Sequence, residues 1–342
     1  MKYFTVIIAL FLFLFIQCKG FPQAAQAENQ VTSIPENTNP VNSELPVSTF
    51  EEIWVYVVAG REAALTGNLP LTDIGYFGAE IDSYGKLTGV PRRSALNFRG
   101  RVHLVVSCNG RALSYFTLRQ GSNERRELIA DLISETRNYD GLQINFENIP
   151  QRSGDDYFTF LQELRAGLER NKLFTVALAA RTRKVDNDVY DYAKILPTVD
   201  RILVMAYDEH WSTSAPGPIA SMGWCSRVAR YSLDTIGPEK LIMGLPFYGR
   251  SWGSITPNRA YIHSGIQDII REQNITEIDR DNGIPNFKYN TELTVTVFYE
   301  DEYSLSTRLE MYKRMGVRSV GFWRLGQETL AFWQTIGIES RR

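Results

Sequence analysis

The sequence predicts an α/β chain folded as a (β/α)8 TIM barrel, with a small β-containing insertion between strands 7 and 8. Three observations carry that expectation. Eight short apolar runs alternate with helix-like segments over about 290 residues, the pattern of a parallel sheet covered by helices. One run, Gly141 to Glu147, puts polar side chains on one face only. Several other runs end in polar or aromatic residues at their C-terminal ends, where such a barrel carries its chemistry. A doubly wound sheet is the competing architecture.

The N-terminus is expected to lie outside the folded domain. Lys2 is followed by an apolar run from Tyr3 to Ile16 and then Gln17-Cys18-Lys19-Gly20. That run is too short to span a bilayer as a mature helix and fits the apolar core of an export signal. With Cys18 directly after it, residues 1–18 resemble the signal and lipobox of a bacterial lipoprotein, in which the cysteine is lipidated. The usual small residues before the cysteine are replaced by Ile16 and Gln17. The alternative is an ordinary signal cleaved near Ala24-Ala25-Gln26-Ala27. The expectation is export to a bacterial cell envelope, with a lipid anchor on Cys18 as the membrane contact. Residues 19–49 are rich in Gln, Asn, Pro, Ser, Thr and Glu and should form a flexible tether. The barrel is assigned to 50–342.

Eight strands are expected at 52–58, 72–78, 102–108, 141–147, 174–180, 201–207, 241–246 and 318–323. Each is a short apolar run rich in β-branched or aromatic residues. Helices are clearest at 122–138, 154–171 and 303–315. In the second of these, Phe158, Leu161, Leu164 and Leu168 share one side. The gap between strands 7 and 8 is too long for one helix. Residues 285–300 alternate like a hairpin, so an insertion over about 251–300 is expected on the catalytic face.

Strand 4 is the informative one. Side chains alternate along a strand, so Gln143, Asn145 and Glu147 face one way and Leu142, Ile144 and Phe146 the other. A strand covered on both sides should be apolar on both. Three polar groups inside a barrel are costly unless they serve a purpose.

Composition excludes several classes. Net charge is −2 over 342 residues, so no global field attracts nucleic acid. The three histidines (His103, His210, His263) and the remaining cysteines, Cys108 and Cys225, form no metal-ligand spacing. Export permits a Cys108–Cys225 disulfide, but two buried thiols fit equally well. No cofactor or metal is expected, and the chain should act as a monomer.

Four motifs then stand in order at strand ends: the 140–147 stretch, Met205-Ala206-Tyr207-Asp208, Gly244-Leu245-Pro246-Phe247-Tyr248-Gly249-Arg250, and Gly321-Phe322-Trp323. Together they resemble glycoside hydrolase family 18, the chitinase-type barrels, across about residues 50–337. The C-terminal part is most similar to the branch of bacterial spore-cortex N-acetylglucosaminidases. The resemblance implies Glu147 as general acid in a retaining, substrate-assisted reaction, in which the substrate's acetamido oxygen is the nucleophile. The family has Asp where this chain has Gln143 and Asn145. An Asn two residues before the Glu also serves substrate-assisted catalysis in glycoside hydrolase family 85, so Asn145 is compatible with activity. Tyr207 is expected to donate to the acetamido oxygen, and Asp208 to help fix the sugar. Trp323 should form the floor under it. Met205 should pack beneath the site, and Tyr248 and Arg250 should shape its rim. The implied partner is an N-acetylglucosamine-containing glycan: peptidoglycan, chitin oligomers or N-glycan cores. A non-catalytic carbohydrate-binding barrel is the alternative. It would keep Trp323 and be expected to lose Glu147.

Overall fold

The computed structural model describes residues 45–253, 258–290 and 294–340. The expected signal, Cys18 and most of the expected tether lie outside the described residues. Among the described residues no helix is long and apolar enough to cross a membrane.

Eight parallel strands close on themselves. They are β1 (Glu52–Val58), β2 (Asp73–Ile81), β3 (Arg101–Asn109), β4 (Gly141–Glu147), β5 (Leu173–Ala179), β6 (Arg201–Met205), β7 (Leu241–Pro246) and β8 (Ser319–Trp323). Each pairs with its sequence neighbours, and β1 pairs with both β2 and β8. Gly321 lies opposite Trp54 at that closing seam, and Asn109 opposite Glu147 between β3 and β4. All eight expected strands are present, because apolar runs buried on both faces are the most legible signal a sequence carries.

The outer ring is less regular. Helices Arg111–Leu118 and Asn123–Thr136 follow β3, and Gly154–Gly167 follows β4. A single turn, Tyr192–Ile195, follows β5, Met222–Ile236 follows β6, and Glu302–Arg314 precedes β8. The crossovers after β1 and β2 hold short 3-10 turns, Glu62–Ala64 and Arg93–Ala95, and the second also holds a two-residue strand, Leu87–Thr88, paired with the end of β2. Side-chain caps set the helix starts. Ser122 Oγ accepts from Arg125 N at 3.1 Å, and Asp301 and Ser304 form a reciprocal capping box. The helix expected to run to 171 stops at Gly167. There Arg165 donates to the Glu169 and Lys172 carbonyls, which stabilises the turn into β5. Ser48–Phe50 pairs in parallel with Ile336–Ile338, so the fold already includes the last residues that composition assigned to the tether.

The insertion between β7 and β8 is an antiparallel sheet of five strands. Its order is Arg259–Tyr261, Gly249–Gly253, Thr294–Phe298, Ile284–Asn290, Asp279–Asp281. The expected hairpin is its centre. Helix His263–Glu272 covers it through Ile266, which clusters with Phe287, Val297 and Tyr299. A fully buried ion pair, Glu300 to Arg308 at 3.0 Å, ties its end to the last barrel helix. Arg308 also donates to the Ala220 carbonyl at 2.6 Å, beyond β6.

Inside the barrel, Trp54, Tyr56, Val105, Ala177, Leu203 and Ile242 form the apolar layer. Below it, at the N-terminal ends of the strands, sits a network of charges. Arg101 grips Asp73 with two bonds of 2.7 Å and reaches Glu52 at 3.0 Å. Arg201 meets Glu52 at 2.9 Å, and His103 Nε2 meets Asp73 at 2.7 Å. Trp54 stacks on His103 at 4.2 Å. Cys108 and Cys225 are separate buried thiols, and burial pushes Cys225 up to about 11.

Candidate active site

The polar face of β4 points into the barrel. Gln143 is fully buried; its Oε1 accepts a short bond from the Tyr56 hydroxyl on β1, and its Nε2 donates to Thr175 Oγ1 on β5 at 3.1 Å. Both amide ends are therefore committed, and Gln143 braces three strands. Gly75 on β2 makes room for this arrangement: a Cβ there would lie 2.8 Å from the Tyr56 ring. Asp140 sits at the opposite end of the strand, where Oδ2 accepts from Val102 N at 2.8 Å. The first motif residue thus fastens β4 to β3, about 20 Å from Glu147 along the strand.

Two residues above Gln143, Asn145 is nearly buried. Its Nδ2 donates to Glu147 Oε1 at 3.5 Å. Its Oδ1 is buried with no partner among the described residues. An amide oxygen left open in this way is costly unless something else donates to it.

Glu147 ends the strand as an exposed residue. The protein around it thins its hydration and raises its pKa, with the Asp208 charge adding and the Asn145 hydrogen bond opposing. The next residue, Asn148, turns the chain away at φ 58°. Asp208 does the same after Tyr207, also at φ 58°. Asn and Asp tolerate this left-handed region better than most residues. Each turn follows directly on a candidate site residue.

Tyr207 follows β6, half-buried, with its ring 6.4 Å from that of Tyr248. Gly244 on β7 lets it lie close, since a Cβ there would come within 3.0 Å of Tyr207 Cε1. Burial raises its phenol pKa far above the usual range, so it remains a hydroxyl donor at neutral pH. Asp208 is held from two directions: the Tyr248 hydroxyl donates to Oδ1 at 2.6 Å, and Arg250 donates to the same oxygen from Nε at 3.0 Å and Nη2 at 2.8 Å. Tyr248 and Arg250 thereby meet as one cluster around Asp208. Met205 packs against the inner apolar layer. Trp323, at the end of β8, lies 5.2 Å from the Tyr56 ring and edge-on to Phe77 at 5.1 Å.

The structure thus gathers the candidates at the C-terminal mouth. Tyr56, Thr175 and Phe77 were not anticipated. Trp211 also escaped notice; it is half-exposed on the loop after β6, and its carbonyl accepts from Trp252 Nε1 of the insertion at 3.2 Å.

A closed parallel barrel with an acid at the end of β4 and an indole at the end of β8 carries its candidate residues at the face where such barrels place their chemistry. Residues 82–328 match the family described as Glycosyl hydrolases family 18, and the chain belongs to that family. Among curated proteins, it is 29% identical over 216 residues to the "Uncharacterized glycosylase YvbX" of Bacillus subtilis, covering 60% of this chain and 62% of that protein. It is 24% identical over 290 residues to the "Cortical fragment-lytic enzyme" of the same organism, covering 78% and 67%. Across its curated relatives of this kind, the chain spans between half and two thirds of their length. The crystal structure of the Bacillus cereus spore cortex-lytic enzyme SleL superposes with a TM-score of 0.76 at 20% identity, over 86% of this chain and 76% of that one. That likeness supports the barrel fold.

Proposed function

We propose that the protein is an exported glycosidase that cleaves β-1,4 bonds next to N-acetylglucosamine with retention of configuration. The observation that carries this reading is the Asn145–Glu147 pair. A carboxylic acid of raised pKa stands beside a buried amide oxygen that has no partner among the described residues. Glu147 gives its proton to the glycosidic oxygen as the bond to the anomeric carbon breaks. The substrate's acetamido oxygen forms the new bond to that carbon, giving an oxazolinium ion. Asn145 Oδ1 accepts from the acetamido N–H, and the Tyr207 hydroxyl donates to the acetamido oxygen. Glu147, now a carboxylate, takes a proton from the water that opens the ring, which restores the acid. Asp208 and Trp323 hold the sugar.

The neutral amides set the cost. Asn145 accepts one hydrogen bond but supplies no charge to the developing cation. Relative to an Asp, that loss is worth roughly 2–4 kcal/mol in the transition state. Retention of Glu147 favours the hydrolase over a carbohydrate-binding protein without activity. Peptidoglycan is the glycan that suits an envelope protein anchored through Cys18. Mass spectrometry of products from peptidoglycan, chitooligosaccharides and N-glycans tests the reading. Release of fragments ending in N-acetylglucosamine is expected, with the β-anomer formed first by NMR. An inverted first anomer, or turnover of a sugar with a free 2-amine at the cleaved unit, would refute the mechanism.

A further inference from the structure

Some cations at the mouth are paired: Arg250 meets Asp208 at 2.8 Å and Arg181 meets Asp188 at 2.6 Å. Among those that are not, two stand on adjoining segments. Arg61, just beyond β1, and Arg324, just beyond β8, make no ion pair or side-chain hydrogen bond among the described residues. The backbone brings them together. Leu325 N donates to Tyr56 O at 3.0 Å, which lays the segment after β8 along the end of β1. Gly326 then abuts the turn after β1, where a Cβ would lie 3.1 Å from that of Ala64. Arg324 is half-buried, and Arg61 is exposed. Burial lowers the pKa of Arg324, and the Arg61 charge lowers it further, against a weaker opposing pull from Glu328.

The nearby carboxylates are already engaged. Glu62 Oε1 accepts from Gly60 N at 2.9 Å and from the Tyr76 hydroxyl. Glu328 Oε2 accepts from Gly326 N at 2.7 Å and Gln327 N at 2.9 Å, and its Oε1 accepts from Trp333 Nε1 at 3.2 Å. Two arginines without an ion pair among the described residues thus stand on adjoining segments, Arg324 directly after Trp323 and Arg61 just after β1, near enough for the Arg61 charge to be felt at Arg324. Like charges so placed repel unless an anion joins them, and a guanidinium fork is shaped for a carboxylate.

We propose that Arg61 and Arg324 form a recognition point for a carboxylate carried by the glycan beside the sugar on Trp323, so that the protein selects an acidic amino-sugar polymer over a neutral one. This rests on the reading of the mouth as a glycan site. In peptidoglycan the carboxylate comes either from the lactyl ether on the sugar or from the attached peptide. Chitin has neither.

The test compares four soluble substrates with the full chain: peptide-bearing peptidoglycan strands, strands stripped of peptide, the stripped strands as methyl esters, and chitohexaose. The readout is the ratio of kcat/KM on an acidic glycan to that on chitohexaose. Arg61→Gln and Arg324→Gln should each lower that ratio about tenfold or more, the worth of one hydrogen bond to a charged group. Esterification should lower it similarly for the unsubstituted protein. Arg314→Gln, a surface cation on the last barrel helix, should leave it unchanged. A loss on stripped strands assigns the lactyl carboxylate; a loss on peptide-bearing strands alone assigns the peptide. An unchanged ratio in both arginine variants overturns the proposal. If the protein hydrolyses none of the four, the glycosidase reading fails, and calorimetry on the Glu147→Gln protein decides this one separately. Tighter binding of free-acid strands than of their esters, abolished by Arg324→Gln, supports it. Equal binding, or no binding, overturns it.

Discussion

The two ends of the barrel spend polar residues differently. At the base, Glu52, Asp73, Arg101 and Arg201 meet an opposite charge at 2.7–3.0 Å. The one orphan there among the described residues, His103 Nδ1, is shut against Gly141, where even a Cβ would lie 2.4 Å away. At the mouth, among the described residues, Asn145 Oδ1 is unpartnered, Glu147 is an exposed residue, and Arg61 and Arg324 make no ion pair. Both ends pay the cost of polar atoms in a barrel. At the base they neutralise one another and tie strands together. At the mouth some valences stay open, and open valences are what a substrate can fill. The contrast predicts that substitutions at the mouth change activity at little cost in stability, and that substitutions at the base do the reverse.

The largest effect should come from Glu147→Gln. Loss of the acid should lower kcat by more than about a hundredfold while thermal unfolding moves little. Unfolding scans and rates on one preparation would show it. A variant that keeps its turnover would remove Glu147 from the chemistry and erase the contrast.

Asp73→Ala should do the opposite. It leaves Arg101 and buried His103 without their shared partner, and breaking a buried pair in this way costs about 3–5 kcal/mol. Urea unfolding should report the loss, with kcat on soluble substrate largely retained in the folded fraction. The pH dependence sharpens this. Burial alone would raise the Asp73 pKa, but the bonds from His103 and Arg101 outweigh it and hold it below the usual carboxylate value. A depressed folded-state pKa gives stability that is full above the unfolded value near 3.9 and is lost as pH falls through the folded one. Native stability should therefore drop steeply below about pH 4, and Asp73→Ala should flatten that limb. An equally steep limb in the variant would assign acid sensitivity elsewhere.

A subtler change probes the mouth's charge. The Glu147 pKa is raised by the surrounding protein first and by Asp208 second, with no help from the neutral Asn145 and Gln143. The acid must be protonated to act, so activity falls as pH rises through this value. Asn145→Asp should move that alkaline limb upward by adding a like charge, and Asp208→Asn should move it downward. Rate profiles on one substrate would decide; limbs that stay put in both variants would mean that burial alone sets the acid.

The smallest effect should follow Tyr56→Phe. It removes the hydroxyl that meets Gln143 Oε1 in the layer between base and mouth. A stability loss of about 1–2 kcal/mol is expected, with a modest fall in kcat if β4 loses its brace. A hundredfold fall would place Tyr56 in the chemistry itself.

What the sequence determined by itself is what short-range pattern can encode. Apolar runs of strand length marked all eight barrel strands, because a strand buried on both faces must be apolar throughout. Two-residue alternation put Gln143, Asn145 and Glu147 on one face before any partner was known. The helices expected at 122–138 and 303–315 are present, with Ser122 and Asp301 as their caps in the structure. The hairpin of the insertion was legible from its alternation; its three other strands, of three to five residues, were too short to carry a period. The tertiary structure alone decided who meets whom. Tyr56 finds Gln143 across 87 residues, Arg201 finds Glu52 across 149, and the segments that carry Arg61 and Arg324 adjoin only because the barrel closes between β1 and β8. Tyr248 and Arg250 share Asp208 because β7 runs beside β6. Such pairs depend on strand order, register and closure, which link distant segments with no periodic trace in the chain. Local pattern could place an acid at a strand end, but only closure could set which groups around it are satisfied and which are left open.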